Sequence, residues 1–456
     1  MSRHNNLLNN SSGYAAAFGA ADITSAPMKA AIANWFELYY RNEPEDGEDP
    51  CQQIPYTIVR KLTKTVFSEY AATSQNEFAS NVLRELEKVC VNALQMALIG
   101  GESLLKPIPM PDKKGFTFAA VPRDNVLVFA RDASGNMTDI GTMEVSTEGN
   151  CYYTLLERRK VDATGYLTIQ YKLFQSYSKG ALGQQVPLHK LPRYADLEED
   201  YTFTKPVNSI GLVQIKTPMI NCVDGSADGV SVYAAVVGLI RNINRNEAQL
   251  NGEFERGESR VILSADLLSR DENGKKRLKD NLFVGLDEDP DTAGITIFSP
   301  TLREKSFLAR KQEYLRNVEN VIGLKRGLLS EVEAAERTAT EITSSAGEYN
   351  LTIMDFQKIW ESATREVLNL CGTLGQLYKV AGAHDVAADA VTFTWGNGVL
   401  YDEQKTYIEL KEQVSMGLLQ PERLVGWYHN VPANTPEDRE NIRKTYMPEA
   451  LEKEVE

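Results

Sequence analysis

The longest regular pattern of apolar positions in this chain runs from Thr338 to Tyr378. Its apolar residues follow one another at alternating steps of four and three, the heptad spacing of a long helix that buries one stripe. The members of this heptad seam are Ile342, Ala346, Tyr349, Ile353, Phe356, Trp360, Ala363, Val367, Leu370, Leu374 and Leu377. Thr338 and Glu341 have the spacing of a capping box and mark the predicted start. A helix of about 40 residues is roughly 60 Å long, which indicates a chain that packs against copies of itself or spans something large.

The first half of the chain changes from helical to strand-like patterns. Residues 1–27 are rich in Asn, Ser, Ala and Gly, and we expect a mobile arm there. Apolar residues at helical spacing then predict helices at 27–41, 56–70 and 77–98. From Ser103 onward, short alternating runs predict a mainly antiparallel β-rich region. Its strands are expected at 115–121, 126–130, 142–145, 151–158, 166–174 and 212–216, with hairpin turns at 132–136 and 162–165.

In the second half, two helices flank a compact insert. The first is predicted from Asp228 to Gly257, with one apolar face and one face rich in amides and arginines. The second is predicted from Leu302 to Gly323. Because the insert is a short excursion between them, we expect the two helices to run antiparallel. Within the insert the patterns predict strands at 260–263, 282–286 and 295–298 and a short helix at 269–280. A connector (325–337), the long helix, a strand (391–395) and a tail of short helices (402–456) follow.

Composition narrows the class of protein. The chain has 456 residues, 42% of them apolar and 25% charged, as in globular proteins with several domains. The net charge of −14 argues against a protein that binds nucleic acid over its whole surface. Five scattered cysteines without a C-x-x-C motif are typical of reduced thiols. We find no signal-peptide pattern and no apolar run of membrane-spanning length, so we expect a soluble protein made in a cytoplasm.

Recognisable catalytic chemistry is absent from the sequence. It contains no phosphate-binding glycine loop, no H-E-x-x-H and no G-x-S-x-G motif, and its four histidines are scattered. We therefore expect no catalytic residue, no cofactor and no metal site. The acidic run Asp287–Asp291 lacks the Gly and Glu of a calcium-binding loop and indicates a solvated turn. The densest basic cluster is either a solvated helix face or a contact for an acidic partner; it comprises Lys275, Lys276, Arg277 and Lys279.

Four stretches carry a resemblance to a known family. The first pairs Trp35–Tyr39 with Gly100–Lys106, and the second is Gly252–Ile262. The third pairs Ser299–Arg303 with Ile322–Leu324, and the fourth is the Thr-Ala-Thr-Glu sequence that starts at Thr338. From about Trp35 to Pro448 the chain resembles the portal proteins of long-tailed bacteriophages of Gram-positive hosts. It departs from the family pattern after Leu324, where members often have a loop with Ser and Thr.

The resemblance implies an α+β fold with the phage portal architecture: a wing, a two-helix stem, a small α/β clip, a very long wing helix and a helical crown. Applied to this chain, it implies a flexible arm at 1–27, a wing at 28–227, stem helices at 228–257 and 302–324, a clip at 258–301, a tunnel loop at 325–337, the long wing helix with a returning strand at 338–400, and a crown at 401–456.

The same resemblance implies a non-enzymatic function. Portal proteins form rings, usually dodecamers, at one capsid vertex, and double-stranded DNA is packaged and ejected through the ring. The implied partners are further copies of the chain, the terminase large subunit, a head-tail adaptor, scaffold protein and major capsid protein. The implied locations are the virion and, during assembly, the host cytoplasm.

The tunnel loop and the clip supply the candidate site residues under this resemblance. In the tunnel loop, Lys325 and Arg326 are candidates for weak DNA contacts. Glu331, Glu333 and Glu336 are candidates for repulsive ones. All five are otherwise ordinary exposed loop charges. In the clip, the basic cluster is the candidate partner contact.

Two other classes of protein remain open from the residues alone. A scaffold or adaptor that dimerises through the long helix as a coiled coil explains the heptads but leaves the insert between two helices unexplained. A nuclease that uses acidic residues is the other alternative, but no cluster of Asp, Glu and Lys stands out from the surface charge.

Overall fold

The computed structural model describes residues 11–40, 50–178, 180–257, 260–263, 268–270, 276–278, 295–298, 301–331, 339–387, 390–395, 403–429, 431, 433 and 435–447. These residues combine helices and sheets in an α+β fold, as the resemblance implies. The chain divides into two compact units, Met1–Thr394 and Trp395–Glu456. Among the described residues, no helix has both the length and the hydropathy needed to cross a lipid bilayer.

Most helices of the first unit lie close to the predicted positions. The described helices of this unit are α1 Ser11–Ala17, α2 Ala26–Tyr40, α3 Ile54–Val66, α4 Glu77–Gly100, α5 Val237–Arg256, α6 Glu304–Ile322 and α7 Ala339–Tyr378. The described residues of the second unit form α8 Glu403–Ser415, α9 Pro421–Tyr428 and α10 Pro436–Tyr446. The turn at Gly417 and the prolines that begin α9 and α10 separate these short helices, as expected.

All strand pairs in the described residues are antiparallel. The strands are β1 Ala71–Ser74, β2 Glu102–Pro109, β3 Phe116–Pro122, β4 Val126–Arg131, β5 Met137–Glu148, β6 Cys151–Val161, β7 Leu167–Ser176, β8 Gln184–Val186, β9 Asp200–Thr202, β10 Val213–Lys216, β11 Arg260–Leu263, β12 Leu268–Arg270, β13 Lys276–Leu278, β14 Ile295–Phe298 and β15 Val391–Thr394. One sheet has the order β4-β5-β6-β7-β8, with β9 also on β7, and a second has the order β10-β2-β3.

The hairpin turns form where the sequence predicts them. At the turn between β4 and β5, the Asp132 carboxylate accepts hydrogen bonds from the backbone N–H groups of Ser134 and Asn136, at 2.8 and 2.9 Å. The Asp162 carboxylate has the same role between β6 and β7. Glycines with positive φ complete both turns. This local side-chain bonding explains why turn chemistry alone located them.

Helix α4 lies at the centre of the first unit. The Asn76 side chain caps its start by accepting the Ala79 N–H at 3.1 Å, and Gly101 ends it with φ of 86°. The helix contacts α2, α3 and α7 and the β2–β3 hairpin. Its buried residues form one broad face and include all of residues 97–100, while Ser80, Arg84 and Val91 are exposed, so α4 is an amphipathic helix whose last turn lies in the core.

The long helix α7 has 40 residues and begins one residue after the predicted capping position. From Tyr349 onward, the seam side chains Tyr349, Ile353, Phe356, Trp360, Ala363, Val367, Leu370 and Leu374 are buried. Ile342 and Ala346 belong to the helix, but their side chains lie outside the described part. The Trp360 ring packs edge to face on Phe67, and its indole N–H donates to the Tyr70 hydroxyl at 3.0 Å. The seam is therefore packed against α3 and the segment after it.

The expectation of a mobile arm is wrong for residues 11–27. Tyr14 and Ala15 of α1 are buried. The backbone N–H of Ile23 donates to the carbonyl of Val128 at 2.8 Å, which attaches this segment to β4. Small residues made the segment resemble a linker, whereas here they allow it to lie close to the sheet.

The helix predicted from Asp228 begins instead at Val237, after a 3-10 turn at Ala234–Val236. The preceding segment is attached to the end of α4, since the Val232 N–H donates to the Leu98 carbonyl at 2.9 Å. Gly101 and Gly229 pass so close that a Cβ on either one would lie 2.3 Å from the other's backbone. These tertiary bonds override the helical periodicity of residues 228–236.

The insert contains two antiparallel strand pairs in its described residues, β11 with β14 and β12 with β13. The strands predicted at 260–263 and 295–298 are confirmed. The short helix predicted at 269–280 is wrong, because residues 268–270 and 276–278 pair as strands. Asn273-Gly274, a sequence typical of tight hairpin turns, was the overlooked signal. The strand predicted at 282–286 lies outside the described residues.

Candidate functional site

Helices α5 and α6, on either side of the insert, form an antiparallel pair. Glu247 pairs with Lys311 and Glu253 with Arg303, both at 2.8 Å, so residue numbers rise along one helix as they fall along the other. The Asn246 side chain also donates to the Phe307 carbonyl at 3.0 Å. This is the arrangement expected for the two helices, and the insert extends from one end of the pair.

The amide-rich face of α5 is divided between the core and solvent. Asn244 and Asn246, which belong to the face rich in amides and arginines, are buried. Asn244 accepts the backbone N–H of Gln52 at 3.0 Å, and Asn246 bonds α6. Arg241, Arg245 and Gln249 are exposed. Two of the amides therefore hold the chain together, and the exposed polar stripe is narrower than predicted.

The helix pair also exposes large apolar side chains. Phe254 near the end of α5 is 45% exposed, and Leu308 on α6 is 43% exposed. Most positions in the first half of α6 are exposed as well. A helix pair with few buried positions has apolar and polar surface available for another subunit.

The segment after α6 folds into a compact turn. We call it the connector turn (Leu324–Glu331). Gly323 ends α6 with φ of 78°, and the Leu324 N–H donates to the Glu319 carbonyl at 2.8 Å. The Leu328 N–H then donates to the Lys325 carbonyl at 3.0 Å. Gly327 has φ of 88°, which a tight turn of this kind requires at its third position.

The buried carboxylate of Glu319 holds the connector turn. Its oxygens accept the N–H of Gly327 at 3.2 Å, the N–H of Ser330 at 2.9 Å and the Ser330 hydroxyl at 2.7 Å, together with the N–H of Leu329. The Lys61 ammonium of α3 donates to the Leu328 carbonyl. The Glu331 N–H donates to the Gln312 side chain at 2.8 Å. Three side chains from two helices, α6 and α3, therefore fix this turn.

The structure separates the candidate tunnel-loop residues. Lys325 is half-buried, while Arg326 and Glu331 are exposed, all within the connector turn. Glu333 and Glu336 lie outside the described residues. Among the clip candidates, Lys276 and Arg277 lie on β13, opposite Arg270 and Ser269. Lys275 and Lys279 lie outside the described residues.

A buried cluster of charges, which sequence reasoning missed, joins the β-region to the segment before α5. We call it the junction cluster: Glu102, Arg123, Arg131 and Asp228. Arg123 is 1% exposed and lies 2.7 Å from Glu102 and 3.0 Å from Asp228. Arg131 lies 2.7 Å from Asp228. Burial alone would raise the pKa of Asp228, but Arg123 and Arg131 outweigh it and hold the pKa below its usual value.

One signal could have identified Glu319 from the sequence. It lies four residues after Leu315 and three before Ile322, on the apolar stripe of α6. An acidic residue on such a stripe must find hydrogen-bond donors when buried. The junction cluster has no comparable local signal, because its members are far apart in sequence.

The comparisons with known proteins agree with these features. The family model "Phage portal protein, SPP1 Gp6-like" matches residues 121–445, and the chain belongs to this family. It is a family of structural proteins rather than enzymes. Comparison with curated proteins gives no match.

Solved structures similar to the chain come from gene transfer agent particles. A chain from the virion of a native particle has 10% identity and a TM-score of 0.47, over 92% of this chain and 99% of that one. A chain from the neck of an empty particle, computed with C6 symmetry, has 10% identity and a TM-score of 0.46, over 93% and 100%. A chain from the neck of a native particle, computed with C12 symmetry, has 11% identity and a TM-score of 0.43, over 92% and 98%.

The described residues contain no group of three or more His, Cys, Asp or Glu side chains placed to hold a metal ion. What the site offers is mechanical: a helix pair with exposed surface, a two-sheet insert at one end of it, and a charged turn fixed at the other end.

Proposed function

We propose that this chain assembles into a closed ring, usually of twelve copies, at one capsid vertex, and that double-stranded DNA passes through the ring during packaging and ejection. Membership in the portal family carries this proposal. The structural portal role follows from the family, and the ring size, the DNA passage and the partners are our inference. The virion is then its final location, and the host cytoplasm is where it assembles.

The exposed surface of the helix pair supports assembly. We assign α5 and α6 to the stem, so that Phe254 and Leu308 face neighbouring copies. Closed cyclic symmetry uses the same two complementary surfaces on every subunit, so one exposed stripe and one acceptor surface per chain are sufficient. The wing is assigned to 28–227, the tunnel loop to 325–337, the long wing helix and returning strand to 338–400, and the crown to 401–456.

The net charge of the chain supports passage of DNA through the ring rather than tight binding of DNA by it. Each phosphate that a protein neutralises strengthens binding through counterion release, so a strongly basic channel would slow DNA. A chain of net charge −14 has little such affinity. Lys325 and Arg326 are the proposed weak contacts, and Glu331, Glu333 and Glu336 are the proposed repulsive groups.

The insert is assigned to the clip (258–301), at the end of the stem. We infer that it docks the terminase large subunit during packaging and the head-tail adaptor afterwards. The basic cluster at 275–279 supports an acidic partner surface, and its strand residues Lys276 and Arg277 form part of a hairpin. Scaffold protein and major capsid protein are the remaining proposed partners.

The coiled-coil scaffold is disfavoured by one observation. From Tyr349 to Leu374, the heptad seam is buried by the same chain. Thr65 is one of the covering residues, and its hydroxyl accepts a hydrogen bond from the Tyr349 hydroxyl at 2.8 Å. A seam already covered has no apolar stripe to offer a second long helix.

Mass measurement and imaging of the purified protein test the proposal. Twelve copies of a 50.8 kDa chain weigh about 600 kDa, and we expect rings with a hole wide enough for a duplex. A protein that stays monomeric or dimeric under all assembly conditions contradicts the ring.

A further inference from the structure

The Glu319 carboxylate is an unusual feature of a surface helix. It is 1% exposed, although α6 is exposed along much of its length. Four donors from the connector turn surround it, three backbone N–H groups and the Ser330 hydroxyl. Convergent backbone N–H groups of this kind form an anion-binding concavity, and here the protein supplies the anion itself.

The turn that Glu319 holds carries two adjacent cations. Lys325 and Arg326 lie at the first two positions of the tight turn completed by Gly327 and Leu328. A carboxylate that fixes this turn also fixes how far these two side chains extend from the end of α6. Lys61 adds a second attachment from α3 through the Leu328 carbonyl.

We propose that Glu319 is a positioning residue that latches the connector turn and thereby limits the reach of Lys325 and Arg326 toward DNA. The DNA part of this inference rests on the proposed channel function, and the latch itself does not. While the turn is latched, the cations make weak contacts. Once the turn is released, Lys325 and Arg326 reach more DNA phosphates. Each additional phosphate contact increases the affinity for DNA and the dependence of that affinity on salt.

Limited trypsin digestion of the assembled protein tests the latch, because trypsin cleaves after Lys325 and Arg326. We expect Glu319→Ala to raise the cleavage rate at these two bonds by about 10-fold or more, since cleavage follows the population of the open state. Glu313→Ala is the matched control on the exposed side of α6 and keeps the wild-type rate. If Glu319→Ala does not fold, Ser330→Ala removes one of the four donors and gives a smaller increase at the same bonds. Cleavage of folded Glu319→Ala at the wild-type rate overturns the latch.

Retention of linear duplex DNA by the rings tests whether Glu319 limits the reach of Lys325 and Arg326 toward DNA. We expect Glu319→Ala rings to retain DNA more strongly and to lose it more steeply between about 50 and 200 mM salt. The triple variant Glu319→Ala/Lys325→Ala/Arg326→Ala should return to the wild-type behaviour. Faster cleavage with unchanged retention overturns the limit on reach. Wild-type rings that never admit DNA overturn the channel function, and the digestion result still decides the latch.

Discussion

At the residue scale, this protein places polar chemistry inside its core to join segments that are distant in sequence. The Glu157 carboxylate on β6 accepts hydrogen bonds from Lys106 of β2 and from Arg159 of its own strand. Arg159 also donates hydrogen bonds to the carbonyls of Ile210 and Gly211. Together with the junction cluster, such groups determine how the sheets meet each other and the segment before α5. Both members of each pair are required. A buried charge that loses its partner destabilises the fold by more than the intact pair stabilises it.

The first residue-scale prediction concerns Trp360. Its side chain is 0% exposed, packs edge to face on Phe67 and donates a hydrogen bond to Tyr70, so truncation leaves a large cavity and removes the donor to that hydroxyl. We expect Trp360→Ala to lower the free energy of unfolding by about 3–5 kcal/mol, measured by denaturant unfolding. Leu351→Ala is the control on the same helix, where the side chain is 63% exposed, and it should change little. Equal stability of the two variants would contradict a packed seam.

The second residue-scale prediction concerns acid stability. Burial tends to raise the pKa of Glu157, but Arg159 and Lys106 lower it from 4.5 to about 2. A carboxyl group with a depressed folded-state pKa contributes stability above its unfolded-state value, and this contribution is lost as the pH falls toward 2. We expect the unfolding free energy of the wild type to fall more steeply below about pH 4.5 than that of Glu157→Gln. Glu198→Gln, at an exposed position, should keep the wild-type slope. Parallel pH profiles for wild type and Glu157→Gln would show that the pair does not form.

At the element scale, periodicity and turn chemistry predict elements well wherever local bonding determines them. The α7 helix, the α4 helix and the hairpins at Asp132 and Asp162 lie where the patterns place them. Predictions fail where contacts with segments distant in sequence determine the local structure. Residues 228–236 keep a helical pattern but bond the end of α4 instead, and residues 11–27 have a linker composition but pack on β4. In the candidate site, the charges of the connector turn were recognised in the sequence, while the carboxylate of Glu319 was overlooked, although its position on the apolar stripe of α6 was a signal.

An element-scale prediction follows from the division of amides on α5. Asn246 is 6% exposed, and its loss leaves the Phe307 carbonyl without that donor. We expect Asn246→Ala to cost about 1–3 kcal/mol of unfolding free energy, as measured by urea titration. Gln249→Ala, on the exposed side of the same helix, should stay within about 0.5 kcal/mol of the wild type. If the two variants cost the same, α5 packs on α6 in a different rotation from the one described.

At the scale of the whole molecule, the chain buries its own heptad seam and leaves the helix pair partly uncovered. A soluble monomer rarely gains from large exposed apolar side chains on a helix with so few buried positions. This contrast favours assembly through the α5–α6 pair rather than through the heptad seam of α7. Length and periodicity drew attention to α7, although its heptad seam is buried from Tyr349 to Leu374, whereas the helix pair keeps Phe254 and Leu308 exposed.

The assembly prediction tests this contrast directly. Leu308 is 43% exposed on α6, and Leu308→Asp introduces a charge there without disturbing a buried position. We expect the variant to keep the wild-type circular dichroism but to lose rings of about 600 kDa in favour of the 50.8 kDa chain or small oligomers, as judged by mass measurement. Ser306→Asp is the matched control, because its exposed side chain lies two residues away, on nearly the opposite side of the helix. Full rings from Leu308→Asp would place the subunit contact elsewhere, and loss of rings from Ser306→Asp as well would mean that charge anywhere on α6 prevents assembly.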